Sequence, residues 1–107
     1  MSVFVSKRLK EARRAAGLSQ EKLGVQAGID EMSSSARMNQ YERGKHGPDF
    51  SMVERIAAAL DVPECYFYCK DDDIALILIH LHRMPSTKKA TLTKTINSLL
   101  HDSLDGL

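Results

Sequence analysis

Glycine spacing in the first half of the chain limits its possible folds more than any other feature. Gly17, Gly28 and Gly44 each follow a segment in which apolar residues recur at the spacing of one helical face. Glycine readily takes the left-handed backbone conformation in which many helices end. The sequence therefore predicts three short helices, Ser6–Ala16, Gln20–Ala27 and Ser35–Arg43, with a polar turn over residues 30–35.

The second half of the chain continues the helical pattern. A fourth helix is predicted to follow Asp49, whose side chain can accept hydrogen bonds from first-turn N–H groups. Its apolar stripe comprises Phe50, Val53, Ile56, Ala57 and Leu60. A short fifth helix is predicted from Glu64 to about Tyr68.

Two more apolar stripes follow the acidic run Asp71–Asp73 and are separated by Pro85. The first comprises Ile74, Ile77, Leu78, Leu81 and Met84, and the second, the tail stripe, comprises Leu92, Ile96, Leu99 and Leu100. Both segments would also suit β-strands by local composition. The acidic start suits the positive end of a helix dipole, and together with the length of the stripes it favours two helices.

Composition and charge narrow the class of protein. Aromatic residues make up only 6% of the chain, which predicts an aliphatic core of packed helices. Residues 1–48 contain nine Lys and Arg against five Asp and Glu, whereas residues 49–107 contain six against nine. The basic half suits a polyanion, and the acidic half suggests another role such as self-association. The longest apolar run, Ile74–Ile79, is too short to span a bilayer, and no secretory signal is recognisable, so we expect a cytoplasmic protein without a membrane partner.

Catalytic and metal-binding patterns are weak. Cys65 and Cys69, with His80 and His82 downstream, do not match the ligand spacing of a common zinc site. We expect Cys65 or Cys69 to be a small buried apolar residue, and we expect no metal and no cofactor. No nucleophile–base pattern or phosphate-binding glycine loop stands out, so no catalytic residue is predicted and an enzyme is not expected.

The second and third predicted helices carry the functional signal. Ser19 is placed to cap the second helix, and Gly24 lies in its middle, where glycine costs roughly 0.5–1 kcal/mol relative to alanine. Such a cost suggests that another helix passes close to Gly24. A short helix, a turn and a second short helix form a well-known DNA-binding arrangement.

A family resemblance rests on three stretches. Leu18-Ser19-Gln20-Glu21-Lys22-Leu23-Gly24, Tyr41-Glu42-Arg43-Gly44-Lys45 and Pro48–Val62 together resemble the Cro and phage-repressor class of helix-turn-helix regulators, of the xenobiotic-response-element type. The resemblance covers about residues 6–68. It implies an all-α, lambda-repressor-like bundle of five helices, here over residues 1–69, and residues 70–107 would then form a C-terminal helical hairpin. Between Gly28 and Glu42 the chain has thirteen residues, where the class has about nine. We place the extra residues at Asp30–Ser33, in a lengthened turn before the third helix.

The third helix has one face suited to base recognition. At about 100° per residue, Met38 and Tyr41 lie on one side and are expected to be buried. The residues on the other side and its edges that we expect to read bases, called the reading face, are Ser35, Ala36, Arg37, Asn39 and Gln40. Amide side chains pair with adenine, arginine pairs with guanine, and a small alanine permits close approach to a thymine methyl group. An ordinary solvated surface is the alternative interpretation.

Phosphate contacts are expected on both sides of the reading face. The candidates are Ser19, Gln20, Arg43, Lys45 and His46, at a helix N-terminus and in the loop after the third helix. The resemblance implies that the positions of Gln20, Ser35, Ala36 and Gln40 face DNA and that Lys45 meets the backbone. It also implies an internal ion pair between Arg13 and Glu42.

The predicted function is that of a transcriptional regulator, more specifically a repressor, that binds a palindromic operator in double-stranded DNA as a homodimer. Residues 71–104 are the expected dimerisation element, because one helix alone reads too few base pairs. Two alternatives stay open. The chain would be an antitoxin-type interaction module with secondary autorepression, or a sensor whose C-terminal helices hold a small-molecule effector of unknown identity.

Overall fold

The computed structural model describes residues 4–105, with side chains as far as residue 102. Residues 1–3 and 106–107, at the outer ends of the predicted segments 1–69 and 70–107, lie outside the described residues. The helices are α1 (Ser6–Ala15), α2 (Gln20–Gln26), α3 (Glu31–Glu42), α4 (Phe50–Leu60), a 3₁₀ helix (Glu64–Tyr68), α5 (Asp72–Arg83) and α6 (Ser86–Asp105). Residues 4–105 contain no β-strand, so the predicted all-helical fold class is confirmed.

The start of α3 differs from the prediction. The prediction of a polar turn over residues 30–35 is wrong, because the helix already begins at Glu31. Asp30 caps it, accepting a hydrogen bond from the Met32 backbone N–H at 3.1 Å. The extra residues therefore add one helical turn to α3 and do not lengthen the connection from α2. A capping aspartate followed by an acidic first turn stabilises helix at this position.

The core lies where α1, α2, α3, α4 and the 3₁₀ helix meet. Its completely buried side chains are Leu9, Leu23, Met38, Val53, Ile56 and Phe67. Phe50 is 57% exposed, so its predicted place in the buried stripe of α4 is wrong. It is the first residue of the helix, and Met52 in the same turn is buried instead.

Helices α5 and α6 leave much of their apolar surface uncovered. On α5, Ala75 is buried and Ile79 packs against the core, while Ile74 and Ile77 are 52% and 53% exposed. In the rest of the predicted stripe, Leu78, Leu81 and Met84 are half-buried, so the stripe as a whole is only partly covered. Helix α6 makes sparse contact with the other elements, and the molecule extends 57 Å along its longest axis.

Membrane insertion by a helix has no support in the described structure. None of the helices within residues 4–105 combines the length and the apolar character needed to cross a bilayer.

Candidate nucleic-acid interface

Helices α2 and α3 approach each other closely at Gly24. A β-carbon placed on Gly24 would lie 1.8 Å from Ser34 Oγ and 3.2 Å from Ser34 Cα, so only glycine fits without movement. Ser34 is completely buried, and its hydroxyl donates to the Glu21 carbonyl at 2.7 Å. The close approach inferred from a mid-helix glycine is thus present, and it sets the position of α3 on α2.

The two sides of α3 differ as the helical spacing suggested. Met38 is fully buried and Tyr41 is 6% exposed, so these two side chains anchor the helix in the core. On the reading face, Ser35, Ala36 and Gln40 are exposed and Asn39 is half-buried. The exposed groups are hydroxyl, methyl and amide groups, which are able to contact base edges in a major groove.

Arg37, although exposed, is engaged within the protein. Its Nη2 donates to the Tyr41 hydroxyl at 2.8 Å, and Cζ lies 5.9 Å from the centre of the Tyr41 ring. The guanidinium would have to leave this contact to reach a base.

The first turn of α3 adds surface that the sequence reasoning missed. Met32 is 93% exposed at the N-terminal end of the helix, with Glu31 and Ser33 beside it. Asp30 followed by Glu31 was the signal that could have revealed this turn, since it is a capping residue before an acidic first turn.

A buried ion pair joins α1 to the end of α3. Arg13 Nε and Nη2 donate to the two carboxylate oxygens of Glu42 at 2.6 and 3.1 Å, and Nη1 donates to the Leu18 carbonyl at 3.0 Å. The Glu42 side chain is only 4% exposed and that of Arg13 is 13% exposed. Hydrogen bonding to Glu42 raises the pKa of Arg13 above its ordinary value. Glu42 is therefore a structural group and is not available as a solvent-facing carboxylate.

Gln20 extends this network toward the reading face. Its Nε2 donates to Glu42 Oε1 at 3.2 Å and to Asn39 Oδ1 at 3.3 Å. Asn39 accepts this hydrogen bond through Oδ1, so its amide N–H groups take no part in it.

Cationic side chains surround the outer end of this network. A surface cleft of about 400 Å³ is lined by Lys10, Arg13, Arg14, Ser19, Gln20, Asn39, Glu42 and Arg43. Ser19 caps α2 by accepting from the Lys22 backbone N–H at 3.0 Å. Lys45 and His46 are exposed in the loop after α3. Lys10 and Arg14 are not among the predicted phosphate contacts, although both lie off the buried stripe of a basic helix.

The two cysteines lie away from this surface. Cys65 is exposed, so a buried role for it is wrong, whereas Cys69 is half-buried and packs against the core. Cys65 belongs to the 3₁₀ helix, where Tyr66 and Phe67 take the inward positions. Within residues 4–105 no three His, Cys, Asp or Glu side chains form a group that could hold a metal ion.

This chain is similar to a known domain family and to a solved structure. Residues 5–65 match the family described as a helix-turn-helix domain. The crystal structure of transcriptional regulator BswR is similar with a TM-score of 0.87 and 43% sequence identity, covering 92% of this chain and 97% of that chain. No curated protein sequence gives a significant match.

Proposed function

The chain belongs to the helix-turn-helix domain family, and we propose from this premise that it is a transcriptional regulator that binds double-stranded DNA in a sequence-specific manner. Its proposed subclass is the Cro and phage-repressor class. The similarity to transcriptional regulator BswR over almost the whole chain supports the regulatory role.

The reading face of α3 is the observation that carries the proposal. Met38 and Tyr41 fix the helix from behind, so the exposed residues Ser35, Ala36 and Gln40 face outward from a rigid support. An α-helix of this kind fits the major groove, where amide and hydroxyl groups distinguish base pairs. We assign base recognition to the whole reading face, including Arg37 once it leaves Tyr41.

Phosphate contacts are proposed for the residues around the reading face. Ser19, Gln20 and Arg43 line one cleft, and the exposed Lys45 and His46 follow α3. The cleft also contains Lys10 and Arg14 of α1, which extend the positive surface. Such contacts orient a protein on DNA and make its affinity depend on salt, without reading the sequence.

The proposed regulator acts as a homodimer on an inverted repeat, and it represses by covering a promoter. The uncovered apolar residues of α5 and α6, Ile74, Ile77, Ile96, Leu99 and Leu100, support residues 71–104 as the dimerisation element. Exposed apolar surface on a protruding helix is unfavourable in a monomer, and a second copy would bury it. Residues 1–69 would then form the DNA-binding domain.

Selection of duplexes from a random pool at fixed salt tests DNA recognition. Recovery of an inverted repeat whose half-sites lie about one helical turn apart, roughly 34–36 Å, would support both sequence specificity and the dimer. Recovery of duplexes without any shared sequence would contradict the proposal.

Sedimentation tests the dimer directly. Leu99→Glu places a charge on the tail stripe, whereas Ser98→Glu places the same charge on the neighbouring residue, on the other side of α6. We expect the wild type and Ser98→Glu to sediment as dimers and Leu99→Glu as a monomer. A monomeric wild type at micromolar concentration, with and without operator DNA, would refute the dimer.

A further inference from the structure

A buried arginine connects the DNA-binding helices to α5. Arg8 of α1 is 2% exposed and contacts the segment that leads into α5. Its Nε donates to the Cys69 carbonyl at 2.9 Å, and its Nη2 donates to the Lys70 carbonyl at 3.1 Å and to Asp72 Oδ1 at 2.8 Å. One planar guanidinium thus holds two linker carbonyls and the first residue of α5.

Neighbouring groups restrain this guanidinium. Arg8 Nη1 donates to Glu11 Oε2 at 3.0 Å, and the Tyr66 hydroxyl donates to the same carboxylate oxygen at 3.1 Å. Arg8 Cζ also lies 5.9 Å from the centre of the Tyr66 ring. The hydrogen bond that Asp72 accepts from Arg8 is the main cause that holds the pKa of Asp72 below its ordinary value. The joint between the 3₁₀ helix and α5 is therefore held in one geometry.

The far end of α5 has weaker restraints. Arg83 donates to the Leu60 carbonyl at 3.2 Å and to the Asp61 carbonyl at 2.9 Å, but its side chain is 51% exposed. Arg83 Nε also lies 3.6 Å from Asp61 Oδ2, and the Asp61 side chain is 73% exposed. Exposed ion pairs of this kind contribute little to stability. Arg8 is thus the main polar restraint on the direction in which α5 leaves the bundle.

We propose that Arg8 is a positioning residue. By holding the start of α5 in one geometry, it determines which spacing between half-sites the dimer accepts. This inference rests on the proposed function, in which α5 and α6 join two copies. A rigid joint fixes how far apart and at what rotation the two α3 helices lie. One added base pair moves a half-site by about 3.4 Å and about 35°, so a rigid dimer rejects it and a loose one tolerates it.

The decisive variant is Arg8→Lys. Lysine keeps the charge, but its single ammonium group cannot reproduce the planar fork that serves Cys69, Lys70 and Asp72 together. Lys7→Ala is the matched control, because Lys7 also pairs with Asp72, at 3.0 Å, but from a side chain that is 56% exposed. Asp72→Asn is a second variant that leaves the buried side chain in place, since Asp72 is 72% exposed.

Binding is measured on the selected operator with its half-sites at the preferred spacing, with one base pair added or removed, and on a single half-site. We expect the wild type and Lys7→Ala to lose roughly tenfold or more in affinity for each spacing error. In Arg8→Lys that loss falls to about twofold while single half-site affinity is retained, because a loose joint lets both α3 helices reach their sites. Asp72→Asn gives an intermediate profile.

Thermal unfolding of each variant accompanies these measurements. An unchanged spacing profile in folded Arg8→Lys would overturn the inference, and if that variant does not fold, an unchanged profile in Asp72→Asn would do so. Equal loss on the operator and on the single half-site would also overturn it, because Arg8 would then only support the fold. A wild type without sequence preference would refute the proposed function, and the inference with it.

Discussion

Gly24→Ala tests whether the close approach of α2 and α3 sets the position of α3. In an open helix this substitution stabilises by roughly 0.5–1 kcal/mol, because alanine restricts the unfolded chain and favours helix. Here the new methyl group would lie 1.8 Å from Ser34 Oγ, 3.0 Å from Ser34 Cβ and 3.2 Å from Ser34 Cα. The hydroxyl group can rotate away, but the last two atoms move only if α3 moves.

Overpacking of this kind typically costs about 1–3 kcal/mol, which exceeds the gain in helix propensity. We therefore expect Gly24→Ala to be less stable than the wild type by about 0.5–2 kcal/mol and to bind operator DNA less tightly. Urea unfolding measures the free energy, and a fall in Tm of roughly 4–8 °C per kcal/mol gives a second measure.

Ser34→Ala completes the experiment as a double-mutant cycle. Alone it removes the hydrogen bond to the Glu21 carbonyl, at a cost of about 0.5–1.5 kcal/mol. Combined with Gly24→Ala it also removes the nearest clashing atom, so the double variant should be less destabilised than the sum of the two single variants. If Gly24→Ala proves as stable as the wild type or more stable, the contact does not constrain α3 and the reasoning fails.

Three other predictions address DNA contacts and internal polar groups. Gln40→Ala should weaken the binding free energy on the preferred operator by about 1–3 kcal/mol and relax discrimination at one base pair. Lys45→Ala should weaken binding to all duplexes alike and lower the slope of log affinity against log salt concentration by about one unit. Equal effects of both variants on operator and random DNA would contradict the assigned roles. Arg13→Ala leaves the Glu42 carboxylate buried without its cation and should reduce the free energy of unfolding by about 3–5 kcal/mol, measured in urea. Glu42→Gln should be less severe, because the amide oxygen can still accept a hydrogen bond from Arg13, whose side chain is more exposed than that of Glu42. Burial, followed by the charge of Glu11, raises the pKa of Tyr66 from 10.0 to about 12. Its contribution to stability is therefore complete below about pH 10 and is lost as the pH rises to about 12, and Tyr66→Phe should flatten the fall of stability in this range.

Local signals in the sequence predicted most of the helices. Helix α2 ends two residues before Gly28, and α4 begins directly after Asp49, because caps and helix-ending glycines act through the backbone of the nearest few residues. At α3 two local signals disagree: the polar composition of residues 30–35 favours a turn, whereas Asp30 before Glu31 is a helix-capping signal. The structure follows the capping signal: Asp30 caps α3, and Ser34 fits against Gly24. The contact of Ser34 with Gly24, ten positions earlier in the chain, also favours helix over residues 31–35.

The sequence by itself determined which residues could form the reading face, because helical periodicity separates Met38 and Tyr41 from the residues around Gln40. Only the tertiary structure decided how those residues are held and joined. Gln20 contacts Asn39 and Arg37 turns toward Tyr41, while the buried Arg8 ties α1 to the start of α5. Periodicity is a property of one helix and can be counted along the chain, whereas hydrogen bonds between distant segments depend on the positions that all the helices take together.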